Sequence, residues 1–85
     1  MTIVYVIQNT FSKELYIGIT ENLERRLSEH NHHGNTSTHR IQGEWMVVYA
    51  EAYRSKEDAE QREIMLKHHG SSKRKLFDRI KKSFL

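Results

Sequence analysis

The chain contains no cysteine. That absence excludes disulfides, thiolate zinc sites and cysteine nucleophiles, and it fits a reducing compartment. No apolar run approaches the ~18 residues of a membrane span. The opening MTIVYVIQNTFSKE lacks the basic n-region and long apolar h-region of a secretory signal. Repeats and low-complexity linkers are also missing, so the expectation is a soluble, cytoplasmic protein with no membrane partner. What is present is 85 residues, 36% of them hydrophobic. That suffices for one compact domain over residues 1–85 with a modest core.

Net charge is only +3, but residues 67–85 carry +6 and the rest of the chain −3. Lys73, Arg74, Lys75 and Arg79 fall in this basic stretch. A basic helix there would follow a phosphate backbone through counterion release, a force indifferent to base sequence. On charge alone, a solvated helix face explains the pattern equally well.

Met1–Gln8 reads as a strand, because Ile3-Val4-Tyr5-Val6-Ile7 is an unbroken apolar, β-branched run of the kind covered on both faces. Asn9–Lys13 supplies turn formers, and Leu15–Ile19 makes a second strand within hairpin reach of the first. Thr20 and Asn22 are candidate caps for a helix from Leu23 to about Asn31, with Leu23 and Leu27 as its apolar stripe. His32–Gly43 has no apolar periodicity and reads as a long loop, a feature that in small domains tends to be functional. Trp45–Ala50, extending toward Tyr53, is a third strand. Ser55 and Asp58 suggest a capping box for a helix from Lys56 to about His69, closed by Gly70 at C′. Ser71 or Ser72 would cap a last helix carrying Leu76, Ile80 and Phe84. The order β-β-α-β-α-α makes an α/β layered fold, with helices covering the sheet.

Tyr5 and Tyr16 stand on neighbouring strands. Arg26 and His30, at i and i+4, share a helix face from which Arg25 is turned by about 100°. Glu63 lies on the second helix. Two phenols, a guanidinium, an imidazole and a carboxylate form a workable set for phosphodiester hydrolysis, which needs an activated water and neutralised phosphoryl charge.

At these residues the chain resembles the GIY-YIG nucleases, and most closely their small single-domain bacterial members. Val4-Tyr5-Val6 stands in the place of the first triplet, keeping its tyrosine but not its glycine or isoleucine. Tyr16-Ile17-Gly18 matches the second triplet in full. Asn22 to Asn31 matches the arginine helix with its Arg-x3-His spacing, and Ala59-Glu60-Gln61-Arg62-Glu63 with Lys67 matches the metal-carboxylate helix. The resemblance implies an α+β fold, a three-stranded antiparallel sheet flanked by helices. It also implies a metal-dependent DNA endonuclease using a single Mg²⁺ (or Mn²⁺) held by Glu63. Under it, Tyr5 orients or activates the attacking water, Tyr16 hydrogen-bonds the scissile phosphate or the metal-bound water, Arg26 stabilises phosphoryl charge, and His30 assists the water or the proton shuttle. Lys13 would lower the Tyr5 pKa, Gly18 would allow close packing, and His39 would reach the site from the loop.

Each assignment has a plainer competitor. Tyr5 and Tyr16 could be core aromatics, Arg26 a solvated helix residue, and Glu63 an i, i+4 partner of Lys67 with Glu60 as rival ligand. A zinc site from His30, His32, His33 and His39 finds no support in spacing. No reader of base sequence is evident, so any specificity falls to DNA shape, a homodimer or a partner protein acting on duplex, branched or single-stranded DNA. The alternatives to a nuclease are a noncatalytic nucleic-acid-binding module, for which Glu63 would be superfluous, and an interaction domain whose basic tail binds an acidic partner.

Overall fold

The computed structural model describes residues 1–33 and 43–85. The elements are β1 (Thr2–Asn9), β2 (Leu15–Thr20), α1 (Leu23–Ser28), β3 (Trp45–Tyr53), α2 (Lys56–His68) and α3 (Gly70–Arg79). A π-helical turn spans Glu29–His33 and a 3₁₀ turn spans Lys81–Ser83. The strands form one antiparallel sheet in the order β2-β1-β3. No helix among the described residues is long and apolar enough to cross a membrane.

The central position of β1 explains its unbroken apolar run. Val4 and Val6 face α2 and α3, packing with Ile17, Ala59, Leu66, Leu76 and Ile80. Tyr5 and Ile7 face the other way, against Trp45, Leu23 and Leu27. A bulge between Val6 and Ile7 shifts the β3 register by one residue. The β1–β2 turn is held by Asn9, whose Oδ1 accepts the N–H groups of Phe11 and Ser12, both at 2.9 Å. Lys13 closes that turn in the left-handed region, at φ 67°.

The helix starts follow the cap chemistry. Asn22 Oδ1 accepts the Arg25 N–H at 3.0 Å and Ser55 Oγ accepts the Asp58 N–H at 3.3 Å. The ends require correction. The first helix leaves α geometry at Ser28 and continues as a π turn through His33, taking His32 and His33 out of the expected loop. Residues 34–42, including His39, lie outside the described residues. Gly70 does not close α2, because the break falls at His69, which is extended (φ −117°, ψ 99°). The His69 N–H reaches the Met65 carbonyl, and its own carbonyl accepts the N–H groups of Ser72 and Lys73. This one backbone ends α2 and starts α3, so Gly70 opens α3, and Ser71 and Ser72 lie in its first turn rather than capping it.

Candidate active site

The β1–β2 register sets Tyr5 opposite Gly18 and Ile7 opposite Tyr16. Tyr5 and Tyr16 therefore share the α1 side of the sheet, with ring centroids 6.5 Å apart. The Tyr5 ring lies across Gly18, where an added Cβ would fall on the phenol oxygen and its ring carbon. The second-triplet glycine thus makes room for the first-triplet tyrosine.

The π turn brings His30 to the same place. Asn31 anchors the turn to β3, accepting the Trp45 N–H through Oδ1 at 2.7 Å and donating Nδ2 to the Trp45 carbonyl at 3.3 Å. His30 is 1% exposed, and its Nε2 lies 2.9 Å from the Tyr5 oxygen. Its ring meets Tyr16 edge-on, with centroids 4.8 Å apart. One turn earlier, Arg26 pairs with Glu29 at 3.0 Å and has a side chain 27% exposed. Arg25 is 67% exposed, so the two arginines do have different surroundings.

Burial dominates the electrostatics. It pushes the Tyr5 phenol up to about 12; the nearby Arg26 guanidinium favours the phenolate, while the Tyr16 and Glu63 charges disfavour it. Burial, then the Arg26 charge, hold the His30 pKa below its ordinary value, against the pull of Glu29. Both partners of the 2.9 Å bond are therefore neutral at pH 7, and one proton lies between the phenol oxygen and Nε2.

Glu63 reaches this centre from α2, close enough for its charge to act on Tyr5. It pairs with Lys67 at 3.1 Å, and the Lys67 ammonium sits 5.8 Å from the Tyr16 ring centre. Glu60, its rival, is exposed. Among the described residues no three acidic, histidine or cysteine side chains converge. A metal here would take one protein carboxylate and complete its shell with water, a donor set that suits Mg²⁺.

Tyr5, Tyr16, Gly18, Arg26, His30 and Glu63 are thus brought together. Lys13 is not: its Nζ donates to the Thr10 carbonyl at 2.9 Å inside the β1–β2 turn, and the Tyr5 pKa is raised, not lowered. His39 lies outside the described residues. The four basic residues of α3 do not act as one patch. Lys73 lines a groove with Tyr16 and Lys67, whereas Lys75 and Arg79 line a separate cleft with Arg62 and Ser72; Arg74 is exposed and lines neither.

Sequence reasoning passed over two features. Lys67, expected only as the i, i+4 partner of Glu63, also sits over the Tyr16 ring. Tyr49, Glu51 and Tyr53 alternate along β3 and, with Arg62, form a polar cluster on the opposite side of the sheet. Their period of two was the available signal.

The sheet carries two tyrosines, α1 and its π turn bring an arginine and a histidine to them, and a carboxylate stands beside them on α2. The family model of the GIY-YIG catalytic domain matches residues 1–76, and the chain belongs to that nuclease-type family. Nucleic acid is the substrate class that this membership indicates. Neither a curated protein nor a solved structure matches the chain.

Proposed function

We propose that the protein is a divalent-metal-dependent DNA endonuclease that hydrolyses a phosphodiester bond, directed by DNA structure more than by base sequence. The observation that carries this reading is the buried 2.9 Å contact between Tyr5 and His30, with Arg26 and Glu63 acting on the same phenol. A phenol with a pKa near 12 is a poor base by itself. Beside a neutral imidazole it becomes a relay. Tyr5 takes a proton from the attacking water as its own proton passes to His30 Nε2, so no free phenolate is required. Water oxygen bonds to phosphorus as the bond to the leaving oxygen breaks; the leaving oxygen takes a proton from solvent, and the Tyr5–His30 pair then returns its extra proton to solvent. Arg26 presents guanidinium N–H groups to the phosphoryl oxygens, and Tyr16 donates its hydroxyl to the same phosphate. Glu63 would hold Mg²⁺ (or Mn²⁺), which supplies charge neutralisation at the phosphate.

The test is cleavage of labelled single-stranded, duplex, flapped and four-way-junction DNA with Mg²⁺, Mn²⁺ or EDTA, beside Glu63→Ala and Arg26→Ala. Metal-dependent cutting lost in both variants is the expected result. Binding without cutting on every substrate, unchanged in both variants, would replace the nuclease with a binding module.

A further inference from the structure

A groove of about 210 Å³ runs beside the candidate active site, lined by Leu15, Tyr16 and Ile17 of β2, Lys67 of α2, and Lys73 and Phe77 of α3. It shares Tyr16 and Lys67 with the site, so a strand passing Tyr5 and Glu63 continues into it. Its floor is aliphatic and aromatic. Two ammonium groups from different helices stand on its walls, Lys67 5.8 Å from the Tyr16 ring centre and Lys73 5.6 Å from that of Phe77. Lys73 forms no ion pair among the described residues. Phe77 is braced by Phe84, edge-on with centroids 5.2 Å apart, so its ring is fixed and not a loose surface side chain. β2 is an edge strand, whose outer side offers unpaired backbone donors and acceptors.

Flat apolar surface next to paired cations is the complement of a nucleotide, with its base on one side and its phosphate on the other. The volume, about 210 Å³, is below the range of pockets that enclose drug-sized ligands, about 300–1,000 Å³, and matches a single nucleotide better than a longer segment. The second cleft, lined by Arg62, Ser72, Lys75, Leu76 and Arg79, is of similar size and also basic, but it has no aromatic wall. Charge alone does not distinguish the two; the rings do.

We infer that the groove of Leu15, Tyr16, Lys67, Lys73 and Phe77 holds one unpaired nucleotide of the DNA strand next to the scissile phosphate. Phe77 meets the base, and Lys73 meets the phosphate. This rests on the nuclease reading and narrows its substrate class: strands with a flap, overhang or other unpaired nucleotide at the cut are preferred over continuous duplex.

The test separates binding from cutting. In EDTA, the affinity of the full chain for a fluorescein-labelled thymidine pentanucleotide is measured by anisotropy, beside an abasic strand of the same length. The unaltered protein is expected to bind the base-bearing strand about tenfold more tightly, the size of one stacking contact. Phe77→Leu is expected to erase that difference while leaving the salt dependence unchanged. Lys73→Ala is expected to weaken both strands and to reduce the slope of log affinity against log salt by about 0.7, the value for one phosphate of a single strand. Lys75→Ala, in the other cleft, serves as the control. Equal affinity for base-bearing and abasic strands, or losses at Lys75 matching those at Lys73, would overturn the groove assignment even if the protein cuts DNA. The abasic comparison needs no variant, so a poorly folding Phe77→Leu protein does not rescue the idea. Base-dependent binding without cleavage on any substrate would sink the nuclease reading while leaving the groove's affinity for a nucleotide in place.

Discussion

On the α1 side of the sheet, Tyr5, Tyr16, Arg26 and Glu29 surround His30; on the α2–α3 side, Tyr49, Tyr53 and Arg62 surround Glu51. Both groups contain two tyrosines, an arginine and a glutamate, yet they are wired differently. Glu51 accepts hydrogen bonds from Tyr49 at 2.8 Å, from Tyr53, and from Arg62 Nε at 3.0 Å, while Arg62 Nη2 lies 3.0 Å from the same carboxylate. Burial works against that carboxylate's charge, but the bonds from Arg62, Tyr53 and Tyr49 outweigh it and hold its pKa below the usual range. The Glu51 cluster is closed, with every strong group answered by another. Around His30, Arg26 binds Glu29 through one nitrogen and keeps other donors, and the phenol and imidazole share a single proton. The difference teaches that residue type alone does not mark a reactive site. At Glu51 an ionised acceptor gathers the donors around it, whereas beside His30 two neutral groups face each other with a cation next to them.

The contrast breaks most sharply at the two arginines. Arg26→Ala is expected to lower the cleavage rate by about 10²–10³ with little change in melting temperature, the cost of one preorganised donor to developing charge. Arg62→Ala should do the reverse, and single-turnover rates beside thermal melts would show it. A substantial cleavage defect in folded Arg62→Ala would dissolve the distinction.

Glu51→Ala comes next. It strips three donors of their shared acceptor in a half-buried setting, for which roughly 2 kcal/mol is expected. In a chain this short that lowers the melting temperature by about 8–16 °C, with cleavage per folded molecule unchanged.

Alkaline titration gives a smaller effect, and both sides of the sheet contribute. Tyr5 and Tyr53 each stand at about 12 in the fold, against 10.0 in their ordinary state; burial raises both, with the Glu51 bond adding to it at Tyr53. Between those values the unfolded chain has released protons that the folded chain still holds, so stability is intact below pH 10 and falls as pH rises toward 12. Tyr5→Phe should flatten that decline by on the order of 2 kcal/mol, and Tyr53→Phe by less because Tyr53 is only half-buried. Denaturant melts at pH 9, 10, 11 and 12 measure both, with about half of the effect developed by pH 11.

The smallest stability effect is expected at Gly18→Ala. The added methyl must push aside the end of the Tyr5 side chain, an overpacking cost of about 1 kcal/mol. The Tyr5–His30 contact would move with it, so cleavage should fall further than the melt suggests. Unaltered activity in this variant would show that the chemistry tolerates a displaced phenol.

Much of this was legible in the residues. The β1 run, the Asn22 and Ser55 caps, and the i, i+4 offset of Arg26 and His30 are local patterns with fixed geometric meaning, whereas Tyr5, Tyr16 and Glu63 stood out through the resemblance to the family's motifs. What escaped depends on distant partners. Gly70 looks like a helix terminator until the His69 backbone is seen to do the work for both helices. Lys13 precedes β2 closely enough in sequence to suggest influence on Tyr5, but a left-handed turn sends its ammonium back to Thr10. Four basic residues in α3 read as one stripe, whereas the helix surface distributes them between two clefts and open solvent.

The π turn at Glu29–His33 gives the gene a sensitivity that no single residue carries. Its wider winding lets His30 point at Tyr5 while Asn31, the next residue, still grips Trp45. Were the Glu29 codon lost from this stretch, the chain would relax toward ordinary α winding, and His30 would fall back one helical position, about 100°, relative to α1. Either the imidazole or the strand clamp would then leave its place. A frame-preserving deletion here would silence the enzyme with its tyrosines, arginine and glutamate all still encoded.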